Sequence, residues 1–150
     1  MIAHIRVQTA DFNIDEELEA LSRATANVGA IASFVGLVRG DDGLVAMTLE
    51  HYPDMTEREI ARHAREASSR WQIDGVRIVH RVGRLLPGAR IVLVATASRH
   101  RAASFESCQF LMDYLKTRAP FWKEEERAGG QSWVEAKNSD DEAADRWRQK

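Results

Sequence analysis

A single cysteine, Cys108, is the whole thiol content of this 150-residue sequence. That excludes an internal disulfide framework and any multi-cysteine metal or iron–sulfur site. Charge of one sign is also missing: 21 basic and 23 acidic side chains leave a net charge of −2, so no global field recruits nucleic acid. No apolar run approaches the ~20 residues that span a bilayer. The opening stretch, Met1 to Val7, alternates in polarity and lacks the apolar core of a signal peptide. Repeats, low-complexity tracts and Pro/Gly/Ser linkers are absent too. What remains is 44% hydrophobic and 29% charged, the balance of a folded chain. The expectation is one cytoplasmic domain over residues 1–150, burying roughly 68–70% of its unfolded surface.

The patterning predicts an α+β fold. Ile5, Val7 and Thr9 alternate as a first strand, and Asp15 to Ala24 reads as a helix with Leu18 and Leu21 on one face. Ala30 to Val38 is nearly continuous in apolar residues, as in a strand covered on both faces. After the turn Arg39 to Gly43, the alternation of Val45, Met47 and Leu49 predicts its hairpin partner. Thr56 with Glu59 fits a capping box for a helix carrying Ile60, Ala64, Ala67 and Trp71. Strands follow over Val76 to Val82 and Ile91 to Ala97, separated by a turn at Leu86 to Ala89. Ser98 is placed to cap a long helix striped by Phe105, Cys108, Met112 and Leu115, which Ala119-Pro120 ends. Phe121 to Arg127 and Ser132 to Ala136 can pair, and Asp140 to Lys150 reads as a terminal helix.

The neutral total conceals an asymmetry. Arg99 to Lys123 holds five Lys/Arg against two acids, whereas Glu124 to Lys150 holds eight acids against five bases. On charge alone a solvated helix face is the better reading, with Lys116 and Arg118 complementing the helix C-terminus. The position of Ser98-Arg99-His100-Arg101 strengthens the alternative. A buried strand ends there and a helix begins, so free N–H groups, an imidazole and guanidinium groups can seat a phosphate or carboxylate. Lys116 and Lys123 bracket the Pro120 break. Brought together, they can work as base, nucleophile or oxyanion stabiliser. Phe121-Trp122 beside them offers either an aromatic wall or ordinary core. The five histidines show no metal-ligand spacing, so no metal site is expected. Mid-helix Cys108 reads as a small buried hydrophobe.

At Phe34 to Arg39, Leu49 to Thr56, His80 to Gly83, Ser98 to Arg101, Phe110 to Lys123 and Trp133 to Ala136, the sequence closely resembles the catalytic (large) subunits of molybdopterin synthase. The resemblance is collinear from about Ile31 to Trp147. It implies an α/β-hammerhead fold with an additional antiparallel β element, and a homodimer within a heterotetramer. It further implies a small ubiquitin-like sulfur-carrier subunit as partner, with neither nucleic acid nor membrane involved. The implied reaction converts cyclic pyranopterin monophosphate to molybdopterin with two sulfurs from the carrier's C-terminal thiocarboxylate, and needs no cofactor. By residue-wise carry-over Lys116 and Lys123 are the catalytic lysines. Substrate binding would fall to Leu37, Val38, Arg39, His100, Arg101, Lys116, Lys123, Glu124 and Glu125.

Leu37 and Glu124 depart from the commoner pattern, where basic residues are frequent. Glu124 is placed to pair with Lys123 and keep it charged. Arg101 and Lys116 lie fifteen positions apart on one helix, about 22 Å at 1.5 Å per residue. The expectation is therefore a composite pocket, with His100 and Arg101 supplied by a second copy of the chain. A non-catalytic adaptor for a ubiquitin-like tail, a small RNA-binding domain and a Schiff-base lysine enzyme are the competing readings.

Overall fold

The structure, a computed structural model, describes residues 1–134 and 138–148. In chain order the elements are β1 (Ile2–Gln8), α1 (Ile14–Ser22), β2 (Ala30–Leu37), β3 (Leu44–His51), α2 (Met55–Arg70), β4 (Gly75–Arg81), β5 (Gly83–Leu85), β6 (Arg90–Ser98), α3 (Arg101–Thr117), β7 (Phe121–Arg127), β8 (Gly130–Val134) and α4 (Asn138–Asp145). They build an α+β fold with two four-stranded sheets, ordered β1-β4-β6-β2 and β5-β3-β7-β8. In the first sheet only β1 and β4 run parallel; the second is antiparallel throughout.

Strand β6 reads as an unbroken apolar run because both its faces are covered. Val92 and Val94 point into the main core with Ile78, Cys108 and Leu111, under α2 and α3. Ala95 and Ala97 point the other way, onto Leu21 of α1. Asn13 caps α1, its side chain accepting from the Glu16 N–H at 3.0 Å. The buried Glu17 carboxylate fastens that helix to the sheet through Arg77, at 2.6 Å, and Arg6.

Several sequence expectations change. β2 is not covered on both faces: it is the edge strand, and Phe34 and Leu37 are exposed. Nor is β3 its hairpin partner; β3 pairs with β5 and β7 in the other sheet. The backbone explains the divergence. Val38 is hydrogen-bonded in both directions to the 86–89 turn. Asp42 and Gly43 then take positive φ values of 55° and 72°, which redirect the chain.

The capping expectations shift as well. Glu57 accepts from the Asp54 backbone N–H at 2.9 Å, so the capping box lies two residues earlier than the expected Thr56 with Glu59. Thr56 is instead fully buried and tied to Pro120. Ser98 does not cap α3; its hydroxyl donates to the His100 carbonyl and contacts Ser104 Oγ at 2.7 Å. Phe105 is 67% exposed, so the buried stripe of α3 is Cys108, Met112 and Leu115 without it. The β7–β8 pairing and the terminal helix follow the sequence reading, although Glu135, Ala136, Gln149 and Lys150 lie outside the described residues.

Candidate active site

Helix α3 must stop before Pro120, and the chain turns back into β7 within a few residues. Thr56 fixes that joint from beneath. Its Oγ1 donates to the Pro120 carbonyl at 3.1 Å and accepts from the Tyr52 N–H at 3.0 Å. One lysine therefore leaves the last turn of α3 and the other leaves β7. Both line one cavity of about 860 Å3, together with Leu37 and Arg39 from the end of β2. That is an ordinary size for a small-molecule site.

Strand alternation decides which β7 side chains enter. Lys123, Glu125 and Arg127 line the cavity. Glu124 is not in its lining and faces its register partner Trp133 on β8. The expected Lys123–Glu124 pair is therefore absent, because adjacent strand residues point to opposite faces. Glu125 bonds Arg127 at 2.7 Å instead, and Arg127 also donates to the carbonyls of Asp41 and Asp42.

The lining is not uniformly cationic, contrary to the picture drawn from residues 99–123. Arg39, Lys116, Lys123 and Arg127 meet Asp41, Asp42, Glu125 and Asp140. Both signs occur because the acidic C-terminal stretch returns to the cavity with Glu125 of β7 and Asp140 of α4, while the turn after β2 adds Asp41 and Asp42. Arg127 is occupied by Glu125 and the 41–42 carbonyls. Arg39 and the two lysines are the other cationic groups of the lining.

The other candidates lie elsewhere in this chain. Val38 is buried, and its backbone serves the 86–89 turn rather than the cavity. His100 and Arg101 begin α3, at the opposite end of an unbroken helix from Lys116. His100 occupies the N-cap position without a side-chain hydrogen bond. The 22 Å separation inferred from sequence therefore applies to the folded chain.

His80 escaped the residue-by-residue reading, although it stands within one of the family-like stretches. It lines the cavity and is buried, with Nδ1 2.9 Å from the Arg81 carbonyl oxygen. Its ring stacks on Phe121 at a centroid distance of 3.9 Å and an interplanar angle of 17°. His51 lies against the same phenyl ring at 6.4 Å. Burial pushes the His80 imidazole down to about 4, and the nearby charges of Lys116 and His51 act in the same direction. Its aromatic stack had no signal in spacing, because the three rings come from β3, β4 and β7.

Cys108 is inert. Burial pushes its thiol up to about 12, and Sγ lies 3.7 Å from the Val94 carbonyl oxygen. Among the described residues no cluster of three or more His, Cys, Asp or Glu side chains could hold a metal ion, and no helix is long and apolar enough to cross a membrane.

The model of the MoaE protein family matches residues 7–118, a span that contains Lys116 and stops short of Lys123. The molybdopterin synthase catalytic subunit of Mesorhizobium japonicum is 52% identical, over 96% of this chain and 92% of its own length. A solved structure of the molybdopterin biosynthesis MoaE protein from Burkholderia ambifaria superposes with a TM-score of 0.85 at 53% identity, covering 97% of this chain and 98% of that one. A chain from the complex of subunits 1 and 2 of the Helicobacter pylori molybdopterin-converting factor shares the fold, with a TM-score of 0.72 at 20% identity over 89% of this chain and 90% of that one. This chain belongs to the MoaE family, the catalytic subunits of molybdopterin synthase, and so to the enzymes of molybdenum cofactor biosynthesis.

Proposed function

We propose that this chain transfers two sulfurs, in succession, from the C-terminal thiocarboxylate of a small ubiquitin-like carrier to cyclic pyranopterin monophosphate, forming the dithiolene of molybdopterin and opening the cyclic phosphate. The observation that carries the reading is the convergence of Lys116, Lys123 and Arg39, from three separate elements, on one cavity of about 860 Å3. Both reactants are anionic. Fixed cations lower their repulsion and hold them at reacting distance. The inert Cys108 fits a reaction whose sulfur arrives on a partner, and no cofactor is required. A partner subunit is also in keeping with the two-subunit complex from which the Helicobacter chain of the same fold comes.

In this reading Lys116 moves a proton or forms a transient covalent link, and Lys123 holds the carrier's terminal carboxyl group. Arg39 takes the phosphate with His100 and Arg101 of a second copy, because one straight α3 keeps those two away from its own Lys116. The domain is a single unit over 1–150, acting as a homodimer within a heterotetramer.

The decisive experiment incubates the protein with thiocarboxylated carrier and cyclic pyranopterin monophosphate and detects the dithiolene product by mass. Lys116→Ala should lower the rate at least about 100-fold while leaving carrier binding intact. Mixing Arg101→Ala with Lys116→Ala protein should restore activity through exchanged dimers. Full activity of Lys116→Ala removes its role, and no rescue in verified mixed dimers removes the shared site.

A further inference from the structure

We propose that Arg127 is a positioning residue for Arg39: its guanidinium ties the turn that carries Arg39 to the strand that carries Lys123, and so sets the spacing of those two cations across the cavity. The side chain reaches three acceptors. Nη1 donates to the carbonyls of Asp41 at 3.1 Å and Asp42 at 2.6 Å, and Nη2 donates to Glu125 Oε2 at 2.7 Å. The backbone of Arg127 pairs with Leu44, where β3 begins, so one residue holds the turn twice. A planar fork serves diverging acceptors at once, which a lysine ammonium on a flexible stem does not reproduce. Nor is the ion pair an open surface contact, since its two side chains are only 34% and 17% exposed.

Arg39 needs a brace because it lies on the crossover between the sheets. β2 is the edge of the first sheet, β3 belongs to the second, and residues 38–43 join them. The near end of that crossover is fastened at Val38. Its N–H donates to the Ala89 carbonyl at 2.9 Å, and its carbonyl accepts from the Gly88 N–H at 2.8 Å. The far end bends through Asp42, whose φ of 55° is a conformation that a residue with a Cβ keeps only where its surroundings hold it. The carbonyls taken by Arg127 are those of Asp42 and its predecessor, and the Asp41 carbonyl also accepts from the Leu44 N–H at 3.2 Å. Arg39 thus stands between two fixed points. Lys123, Glu125 and Arg127 alternate along the cavity side of β7, so the Glu125 carboxylate anchors the brace to the lysine's own strand.

The kinetic arm of the test rests on the sulfur-transfer reading; the exchange arm does not. Arg127→Met should raise the KM for cyclic pyranopterin monophosphate about tenfold, with kcat and the KM for thiocarboxylated carrier within about twofold. Removing Arg127 also uncovers the Glu125 charge, which repels an anion whether or not Arg39 is present. The double variant separates the two effects, because a field adds to the loss of Arg39 whereas misplacement of a missing side chain cannot. On an Arg39→Ala background, Arg127→Met should therefore cost less than about threefold. A loss as large there as in the wild type, or a wild-type pterin KM in folded Arg127→Met, overturns the proposal. Hydrogen exchange at the Leu44 amide should be at least about tenfold faster in Arg127→Met and less accelerated in Arg127→Lys. Unchanged exchange in Arg127→Met overturns the brace, and if that variant does not fold, unchanged exchange in Arg127→Lys does so. If the wild-type protein transfers no sulfur, the proposed reaction fails while Leu44 exchange still decides whether Arg127 holds the turn.

Discussion

His80 and His63 are both held without charge by burial, and this makes the fold sensitive to acid. An unfolded chain protonates a histidine near 6.5, whereas folded His80 waits until about 4. Between those values the unfolded state binds more protons, so stability falls as pH is lowered through the window. The shift corresponds to on the order of 3 kcal/mol for His80, with His63 adding in the same direction. Urea unfolding at pH 7 and pH 4 should show that loss, and His80→Phe should lose markedly less. Equal losses in the two proteins would mean that His80 is not a buried neutral group. At this scale Lys116, Lys123 and Arg39 were legible in the sequence because their neighbours form an unmistakable block. His80 and Arg127 were not: the role of each depends on strands that meet only in three dimensions. Glu124 misled because adjacency along a strand reads as proximity, while alternation separates the two side chains.

The helices and most strands could be read from periodicity, and so could the β7–β8 pairing, but the partners of β2 and β3 could not. β2 and β3 look like a hairpin by composition, and nothing in the residues between them announces that Val38 will be captured by the 86–89 turn. β2 read as fully buried because an edge strand facing its own protein on one side keeps many apolar residues. α1 shows what an element needs beyond its pattern. Only Leu21 of its apolar residues is buried, yet the helix also sinks Glu17 against Arg77 and Arg6. Glu17→Ala leaves the largely buried Arg77 guanidinium without its carboxylate. We expect a loss of about 2–3 kcal/mol, below the full cost of breaking a deeply buried pair because Arg6 is nearly half exposed. A lower urea midpoint at unchanged m-value would register it. A loss under about 0.5 kcal/mol would class the contact with ordinary surface pairs.

Across the whole molecule, the C-terminal end is fastened over the face where α2 and α3 meet. Trp147 stands edge-on to Trp71 and Phe110 at 5.6 and 5.7 Å, and its indole N–H donates to Asp113 at 2.6 Å. Arg70 donates to its backbone carbonyl, and Arg118 pairs with Asp145. Trp147→Ala should therefore destabilise the entire domain by about 3–5 kcal/mol, visible as one cooperative thermal transition at lower temperature. A separate early transition, with the main one unmoved, would show that the end is an independent appendage. The second sheet has a different consequence. Leu49 of β3 lies opposite Lys123 of β7, so two segments far apart along the polypeptide must find each other before both amines share a hollow. Long closures of this kind are entropically expensive and come late. A nascent chain emerging from the ribosome thus lacks the cavity that Lys116 and Lys123 line until β7 has been made.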